Sequence, residues 1–383
     1  NAGRNRNRST ATIVLLALGV FTILITASNR KTFYGDENST KSGTGGYSFW
    51  SETTIPILHD LNTERGKSKM GLSDKEEFDG VKFMQFHKSD GEDASCLNLN
   101  QVQKPQILGV DEIELNDRNS FSFAKLLPDI SPENPWLELN KEYNGVIPAY
   151  ADQTVITWGL LKKVGDTLLY KDEFGEDLKL LLVGGLASSV FQGNILISDS
   201  VFLKHFPSVS GSKIMLVDAP KEHKSKVLET LQMYFFDYGI ELTPTEIRLA
   251  EFYSVTNTYL LVFMMLGGLG LLIGTLGLGI IIFRNLLERK QEIALLLAIG
   301  FKKTQIFKLI FIENIFLLIA GLIVGIAGAI IGILPSLLSP AFSIPGTLVF
   351  YILGIILISG VLWIYFPTKA ALKGNLIKGL RKE

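Results

Sequence analysis

The polar residues with the clearest chemical potential are Glu313 and Asn314, which interrupt a long apolar stretch of the sequence. A carboxylate in such a place is costly unless it has a partner or a function. We therefore treat this pair as a functional candidate in the interior of a membrane segment. A structural capping role near the end of the stretch is the alternative.

Motifs for enzyme chemistry are absent from the sequence. No Gly-x-x-x-x-Gly-Lys-Ser/Thr phosphate loop and no Gly-x-Ser-x-Gly nucleophile elbow occurs. His59, His87, His205 and His223 lack the helical pair spacing of a zinc site. Cys96 stands alone, and we interpret it as a small buried residue, with a reactive thiol as the alternative. The sequence therefore predicts no catalytic residue, metal site or cofactor in this chain, and no nucleic-acid partner.

Four apolar segments must position the few polar candidates, at residues 11–29, 258–283, 309–338 and 347–366. A helix of about 20 apolar residues spans the hydrocarbon core of a bilayer. The pattern predicts an α-helical polytopic membrane protein with four transmembrane helices, one plus three. A large extracytoplasmic mixed α/β domain is inserted between helices 1 and 2.

The distribution of Lys and Arg predicts the orientation. The segments before the first span, between the second and third, and after the fourth hold fourteen Lys and Arg against three Glu, a net charge of +11. With Glu313 and a total charge of −1, residues 29–257 carry −11. Because Lys and Arg concentrate on the cytoplasmic side, both termini are predicted to be cytoplasmic and the large domain to face outward.

The remaining boundaries follow from these spans. They are a basic tail at 1–10, the outer domain at 30–243, a stalk at 244–257, a cytoplasmic loop at 284–308, an outer loop at 339–346 and a second basic tail at 367–383. Within the outer domain, alternating and apolar runs between residues 146 and 217 predict strands. The fold of residues 30–143 is left open. Because the chain begins with Asn1, we expect it to be part of a longer polypeptide.

The stalk begins with a helix-start pattern. Thr243 is predicted as the N-cap, Pro244 as the first helical residue and Glu246 as the partner in a capping box. No further proline occurs before residue 283, so one continuous helix is predicted from the outer domain through the membrane. A linker with a break near Thr256–Asn257 is the alternative.

Glycines at four-residue spacing predict close helix packing in the second and third spans, because small residues allow backbones to approach. These glycines are Gly270, Gly274, Gly321, Gly325, Gly328 and Gly332.

The loop at 284–308 reads as a charged helix end, a short amphipathic helix and a glycine stop. Such a helix can insert into a groove of a partner, or it can simply lie on the membrane surface. The candidate contact residues are Glu288, Arg289, Glu292, Ile293, Leu296, Ala298, Gly300, Phe301 and Lys302.

At these residues the chain resembles the FtsX-like permease family, and within it the MacB-like membrane subunits of ABC transporters. The similarity rests on Glu292-Ile293, on Ala298-x-Gly300 and on the position of Glu313, together with the layout of one span, a large domain and three spans. Residues 145–217 resemble the periplasmic core domain of the family. Ala294 and Leu297 stand where many members have glycine and arginine.

The resemblance implies a permease subunit, or half of one, in the inner membrane that couples ATP hydrolysis to motion of its outer domain. It implies a cytoplasmic ABC ATPase dimer, with ATP and Mg²⁺ bound in that partner. It also implies a second permease unit, from the same longer chain or a second copy, and allows a periplasmic partner. The role would be export, lipid or lipoprotein extraction, or signalling across the membrane. The competing interpretation is a membrane-anchored outer sensor or enzyme without an ATPase.

Overall fold

The structure is a computed structural model that describes residues 6–31, 33, 38–92, 94, 104–141, 145–337 and 346–373. Cys96 and all but the last residue of the predicted loop 339–346 lie outside these ranges. The chain divides into two compact units. A helical unit contains Asn1–Arg30, Thr256–Leu338 and Phe342–Glu383, and an α/β unit contains Lys31–Val255 and Ser339–Ala341.

Ten α-helices occur within the described residues. They are α1 Arg6–Asn29, α2 Glu64–Lys69, α3 Glu112–Asp117, α4 Asp199–His205, α5 Lys224–Tyr234, α6 Thr245–Phe252, α7 Ser254–Glu288, α8 Lys290–Ala298, α9 Lys303–Leu337 and α10 Gly346–Lys373. Four of them, α1, α7, α9 and α10, are long and apolar enough to cross a membrane. The predicted spans are therefore present, and each helix extends beyond the apolar segment that predicted it.

Glycines set the distance between α1 and α9 in the helical unit. A Cβ built on Gly321 would lie 2.9 Å from the Cβ of Leu16, and one on Gly325 would lie 2.8 Å from the carbonyl oxygen of Ala17. A Cβ on Gly332 would meet the Ile25 side chain at 2.6 Å. Three of the four predicted glycines of α9 thus lie where the two helices approach too closely for a larger residue. Gly328 is less crowded, with Phe21 at 3.4 Å.

The contact between α7 and α1 uses Gly274 of the predicted pair together with Gly267. Gly274 meets Leu15, and Gly267 meets Ile23 and Thr22. Gly270 has nothing within 4 Å of a built Cβ among the described residues, although its four-residue spacing from Gly274 places it on a similar face of α7. The packing role of Gly270 therefore stays a prediction.

The α/β unit is built on one sheet of ten strands within the described residues. The strands are β1 Phe49–Ile57, β2 Lys82–Lys88, β3 Gln106–Val110, β4 Phe123–Leu126, β5 Ile147–Asp152, β6 Thr167–Lys171, β7 Asp177–Leu186, β8 Asn194–Ser198, β9 Ser212–Asp218 and β10 Glu241–Pro244. Their order is β10-β1-β9-β2-β3-β8-β5-β7-β4, and β6 also pairs with β7. β3 with β8 and β5 with β7 are parallel, and the other pairs are antiparallel.

Both faces of this sheet are covered. One face carries an aromatic cluster that includes Trp50, Trp136, Tyr150 and Phe191. On other parts of the sheet, α4 adds Phe202 to one apolar cluster and α5 adds Val227 and Leu231 to another. The strands predicted between residues 146 and 217 are present as β5 to β9. The predicted fold class, four membrane helices with a mixed α/β domain between the first and second, is confirmed.

The predicted stalk cap is wrong. Thr243 and Pro244 belong to β10, where they pair with Trp50 and Phe49 of β1. The helix begins at Thr245, whose hydroxyl donates to the carbonyl of Tyr47 at 2.5 Å. Pairing with the edge strand β1 therefore displaces the helix start by one residue, and Glu246 lies in the first turn of α6.

The predicted continuous helix is also wrong, because Tyr253 separates α6 from α7. The Tyr253 ring packs against Phe33 at 5.3 Å between ring centroids. Its hydroxyl forms a 2.8 Å hydrogen bond with the Ser188 hydroxyl. Leu249 and Phe252 are buried in the core of the α/β unit. Tertiary contacts thus interrupt a segment that lacks any local helix breaker, a few residues before the alternative break at Thr256–Asn257.

Candidate functional site

The candidate site is the short helix α8 and its two ends, which lie between α7 and α9. α7 ends at Glu288, and Arg289 links it to α8. The amide of Ile293 donates to the Arg289 carbonyl at 3.0 Å, which closes the first turn. The predicted 25-residue loop is therefore largely helical, and only Arg289 and residues 299–302 lie outside helices.

Gly300 terminates α8 in a Schellman motif. Its backbone has a φ of +100°. Its amide donates to the Leu297 carbonyl at 3.2 Å, and the Phe301 amide donates to the Leu296 carbonyl at 3.0 Å. This pair of bonds satisfies the last carbonyls of a helix and requires a residue that tolerates positive φ. The glycine stop that the sequence predicts thus has a conformational cause.

Gly300→Ala should therefore destabilise the turn, by about 1 kcal/mol, because alanine is strained at this φ. The matched control is Gly354→Ala in α10, where nothing lies within 4 Å of a built Cβ and alanine should improve helix propensity. Thermal unfolding of the two variants in detergent should shift in opposite directions. A stabilising Gly300→Ala would contradict the assigned turn.

One face of α8 packs into the helical unit. Ile293 is 4% exposed and Ala294 is 1% exposed. Ile293 belongs to the same apolar cluster as Ile282 of α7 and Ile306 of α9, and Leu296 packs on that cluster. Of the predicted coupling residues, Ile293 therefore faces the bundle and Leu296 is half-buried against it, because the inward face of α8 is determined by its neighbours α7 and α9. Their role in coupling stays a prediction.

The opposite face of α8 is exposed and partly apolar. Leu295 is 58% exposed and Ile299 is 66% exposed, at the i, i+4 spacing that places them side by side. The predicted contact residues Glu292 and Ala298 share this face, and Phe301 is exposed just beyond the turn. We call Glu292, Leu295, Ala298, Ile299 and Phe301 the α8 surface. Leu295 and Ile299 were missed from the sequence, although their spacing was visible in it.

Charged side chains border the α8 surface. Arg289 pairs with Glu292 at 2.9 Å between Nε and Oε2, and Arg284 pairs with Glu288 at 2.8 Å. Because exposed ion pairs contribute little to stability, these charges are available for a partner. The Lys302 amide donates to the Gln305 side chain at 2.8 Å, which caps the start of α9. The Lys302 side chain is exposed.

The intramembrane pair lies deeper in α9. Asn314 donates its amide to the carbonyl of Ile310 in its own helix, at 2.8 Å. Glu313 is half-buried, and its carboxylate has no hydrogen bond or ion pair with any side chain that the structure describes. Glu313 lies about three turns into the helix, so it does not cap α9. Its functional role stays a prediction.

Comparison with known proteins identifies the family of the helical part. Residues 264–376, which include α8, α9, α10 and most of α7, match the FtsX-like permease C-terminal family. The chain is 27% identical over 270 residues to an uncharacterized ABC transporter permease of Methanocaldococcus jannaschii. That alignment covers 66% of this chain and 65% of the relative.

A crystal structure of the periplasmic region of MacB from Actinobacillus actinomycetemcomitans is also similar. The matched region covers 54% of the present chain and 92% of the MacB chain, with 12% sequence identity and a TM-score of 0.30. The predicted family is confirmed by the match to the helical part, which contains the α8 surface and Glu313. Residues 264–376 of this multi-pass membrane protein form an FtsX-like permease C-terminal domain.

Proposed function

We propose that this chain is the transmembrane permease subunit of an ABC transporter, driven by ATP hydrolysis in a separate cytoplasmic ATPase. The observation that carries the proposal is the α8 surface. It presents Leu295 and Ile299 outward beside the Arg289–Glu292 pair, on a helix anchored by its buried face. A short helix with a mixed apolar and charged face suits a groove on a partner protein.

The packing of α8 explains how a partner would act on the membrane helices. Ile293 contributes to one cluster with Ile282 and Leu286 of α7 and with Ile306 and Ile310 of α9. Because protein interiors are close-packed and transmit displacement, a movement of α8 reaches both long helices through these side chains. In this proposal, closure of the ATPase moves α8, and α7 and α9 carry the motion through the membrane.

The orientation follows from the charge distribution. We infer that α8 and both termini are cytoplasmic and that the α/β unit is extracytoplasmic, because the α8 side carries +11 and residues 29–257 carry −11. The membrane is then the inner membrane. ATP and Mg²⁺ bind in the ATPase, since this sequence has no phosphate loop.

The assembly that we propose contains an ATPase dimer and a second permease unit, either from a longer chain or from a second copy. Open glycine positions on α7 support a further helix contact there. Gly268, Gly270 and Gly277 have nothing within 4 Å of a built Cβ among the described residues, and small residues favour close helix approach in membranes. The role of the assembly is export, extraction of a lipid-anchored substrate, or signalling to an outer partner.

Copurification from the native membrane tests the ATPase assignment. A tagged chain in mild detergent should bring down a stoichiometric ABC ATPase, and the complex should hydrolyse ATP. A membrane-anchored sensor or enzyme would be recovered without any ATP-hydrolysing chain, and that result would overturn the proposal.

Thiol labelling tests the orientation, in a variant with Cys96→Ser. Cysteine introduced at Lys302 should resist an impermeant maleimide in intact cells stripped of their outer layers. Cysteine at Lys226, exposed on α5, should react under the same conditions. Both should react after lysis, which controls for reactivity. Reaction at Lys302 from outside would contradict the proposed topology.

A further inference from the structure

A turn that follows β5 in the α/β unit exposes large apolar side chains. Trp158 is 75% exposed and Leu161 is 64% exposed, whereas Trp50 and Trp136 of the same unit are both 1% exposed. Trp158 and Leu161 are three residues apart in the chain.

The exposure is imposed by the backbone of the turn. Residues Val155–Gly159 form a π-helical turn, with the Leu160 amide donating to the Val155 carbonyl at 2.9 Å. Leu161 has a φ of +53°. π-turns and positive φ at non-glycine residues are both unfavourable conformations that recur at functional sites. The turn thus has an unfavourable backbone conformation in which the side chains of Trp158 and Leu161 are exposed.

The base of the turn is firmly anchored. Asp152 is fully buried, and its carboxylate accepts hydrogen bonds from the amides of Thr154 at 2.9 Å and Ser189 at 2.6 Å. Burial raises the pKa of Asp152 above its usual range. Val155 and Ile156 are also buried. Trp158 and Leu161 therefore project from a fixed base.

A basic cavity lies beside the turn. Its volume is about 250 Å³, and its lining includes Lys125, Lys162 and Lys163. In the part of the chain that the structure describes, none of these three ammonium groups has a hydrogen bond or an ion pair. Like charges in one cavity repel each other, and this region of the chain carries −11 overall. Three lysines without carboxylate partners indicate a site for an anion.

We propose that this cavity binds the head of an anionic amphiphile, with a phosphate on the three lysines. The apolar chain of the amphiphile leaves the cavity along Leu161, which lines it, and lies on Trp158, because 250 Å³ holds a polar head but not an acyl chain. This site requires no ATPase, so its test is independent of the proposed transport function.

The test uses the full chain in a neutral detergent, titrated with lysophosphatidylglycerol while tryptophan fluorescence is followed. Binding should shift the emission of Trp158 to shorter wavelength, and Trp158→Phe should remove that shift. The triple variant Lys125→Gln, Lys162→Gln and Lys163→Gln should weaken binding at least tenfold. The matched triple variant Lys69→Gln, Lys204→Gln and Lys226→Gln, also exposed lysines of this unit, should change it less than twofold.

Further probes separate the contributions of the head and the chain. Lysophosphatidylcholine has the same chain with a zwitterionic head and should bind at least tenfold more weakly. Inorganic phosphate alone should compete only at much higher concentration. The proposal would be overturned if the two lysolipids bound with equal affinity, or if inorganic phosphate bound as tightly as lysophosphatidylglycerol. It would also be overturned if both triple lysine variants lost the same affinity.

Discussion

Replacing Leu295 by arginine is expected to lower permease-dependent ATP hydrolysis at least tenfold while the helical unit stays folded. Leu295 is exposed on α8 and contributes nothing to the bundle core. In a partner groove, however, a charged side chain would be buried without a counter-ion. A hot-spot residue near the centre of an interface contributes about 2 kcal/mol or more, and about 1.4 kcal/mol corresponds to a factor of ten. ATP hydrolysis by the purified complex is the measurement.

Two further variants define which contacts the ATPase uses. Glu292→Arg reverses the charge beside Arg289 and should reduce coupling in the same assay. Thr304→Arg, exposed in the first turn of α9, serves as the matched control and should keep normal activity. Normal stimulated hydrolysis in both α8 variants would reduce α8 to a helix that lies on the membrane surface.

The second large effect is expected for Gly325→Leu. A Cβ at this position would lie 2.8 Å from the Ala17 carbonyl oxygen and 2.8 Å from the Val20 Cβ. Because these neighbours are close to or part of the backbone of α1, they cannot rotate away, and the two helices must separate. Overpacking of this kind costs about 1–3 kcal/mol or more. Thermal unfolding in detergent should show the loss as a clear drop in Tm.

Gly354→Leu is the matched control, because nothing lies within 4 Å of a built Cβ at Gly354 of α10. It adds the same side chain to a membrane helix and should leave the Tm nearly unchanged. If both variants lost stability equally, the effect would come from leucine in a membrane helix and not from the α1–α9 contact.

The membrane helices and the later strands were predictable from sequence because each is determined by a local pattern. Residues 258–283 form a long apolar run, and Thr167–Lys171 is a short segment between the Gly165-Asp166 turn and a hairpin turn. The glycine stop at Gly300 was also predictable, since a positive φ leaves few alternatives to glycine. Such features need no knowledge of the surrounding structure.

The predictions of local structure were wrong where contacts with residues distant in the sequence determine the backbone conformation. Thr243 and Pro244 have helix-start chemistry, but β1 pairs with them as a strand. Tyr253 interrupts a segment of helix-forming residues because Phe33 and Ser188 hold its side chain. The break has a practical consequence: proline at Ser254 would stand at the first residue of α7, where proline is tolerated. A proline at Ser254 would therefore not test whether one helix continues from the outer domain into the membrane.

The residues of the α8 surface also could not be predicted from the sequence alone. Sequence periodicity indicates that α8 is amphipathic, but it does not indicate which apolar residues face the bundle. Ile293 faces Ile282 and Ile306, and Leu295 therefore faces outward. The helix within the predicted segment is present, and its contact with a partner stays a prediction.

Site-specific photocrosslinking at Ile299 tests the central claim most directly, that an ATPase docks on the α8 surface. A benzophenone amino acid at Ile299, 66% exposed, should capture an ABC ATPase in intact cells as a single covalent adduct identified by mass spectrometry. The same amino acid at Lys226 of the α/β unit should capture no ATPase. Absence of an ATPase adduct at Ile299, from a chain that is fully inserted and expressed, would contradict the account.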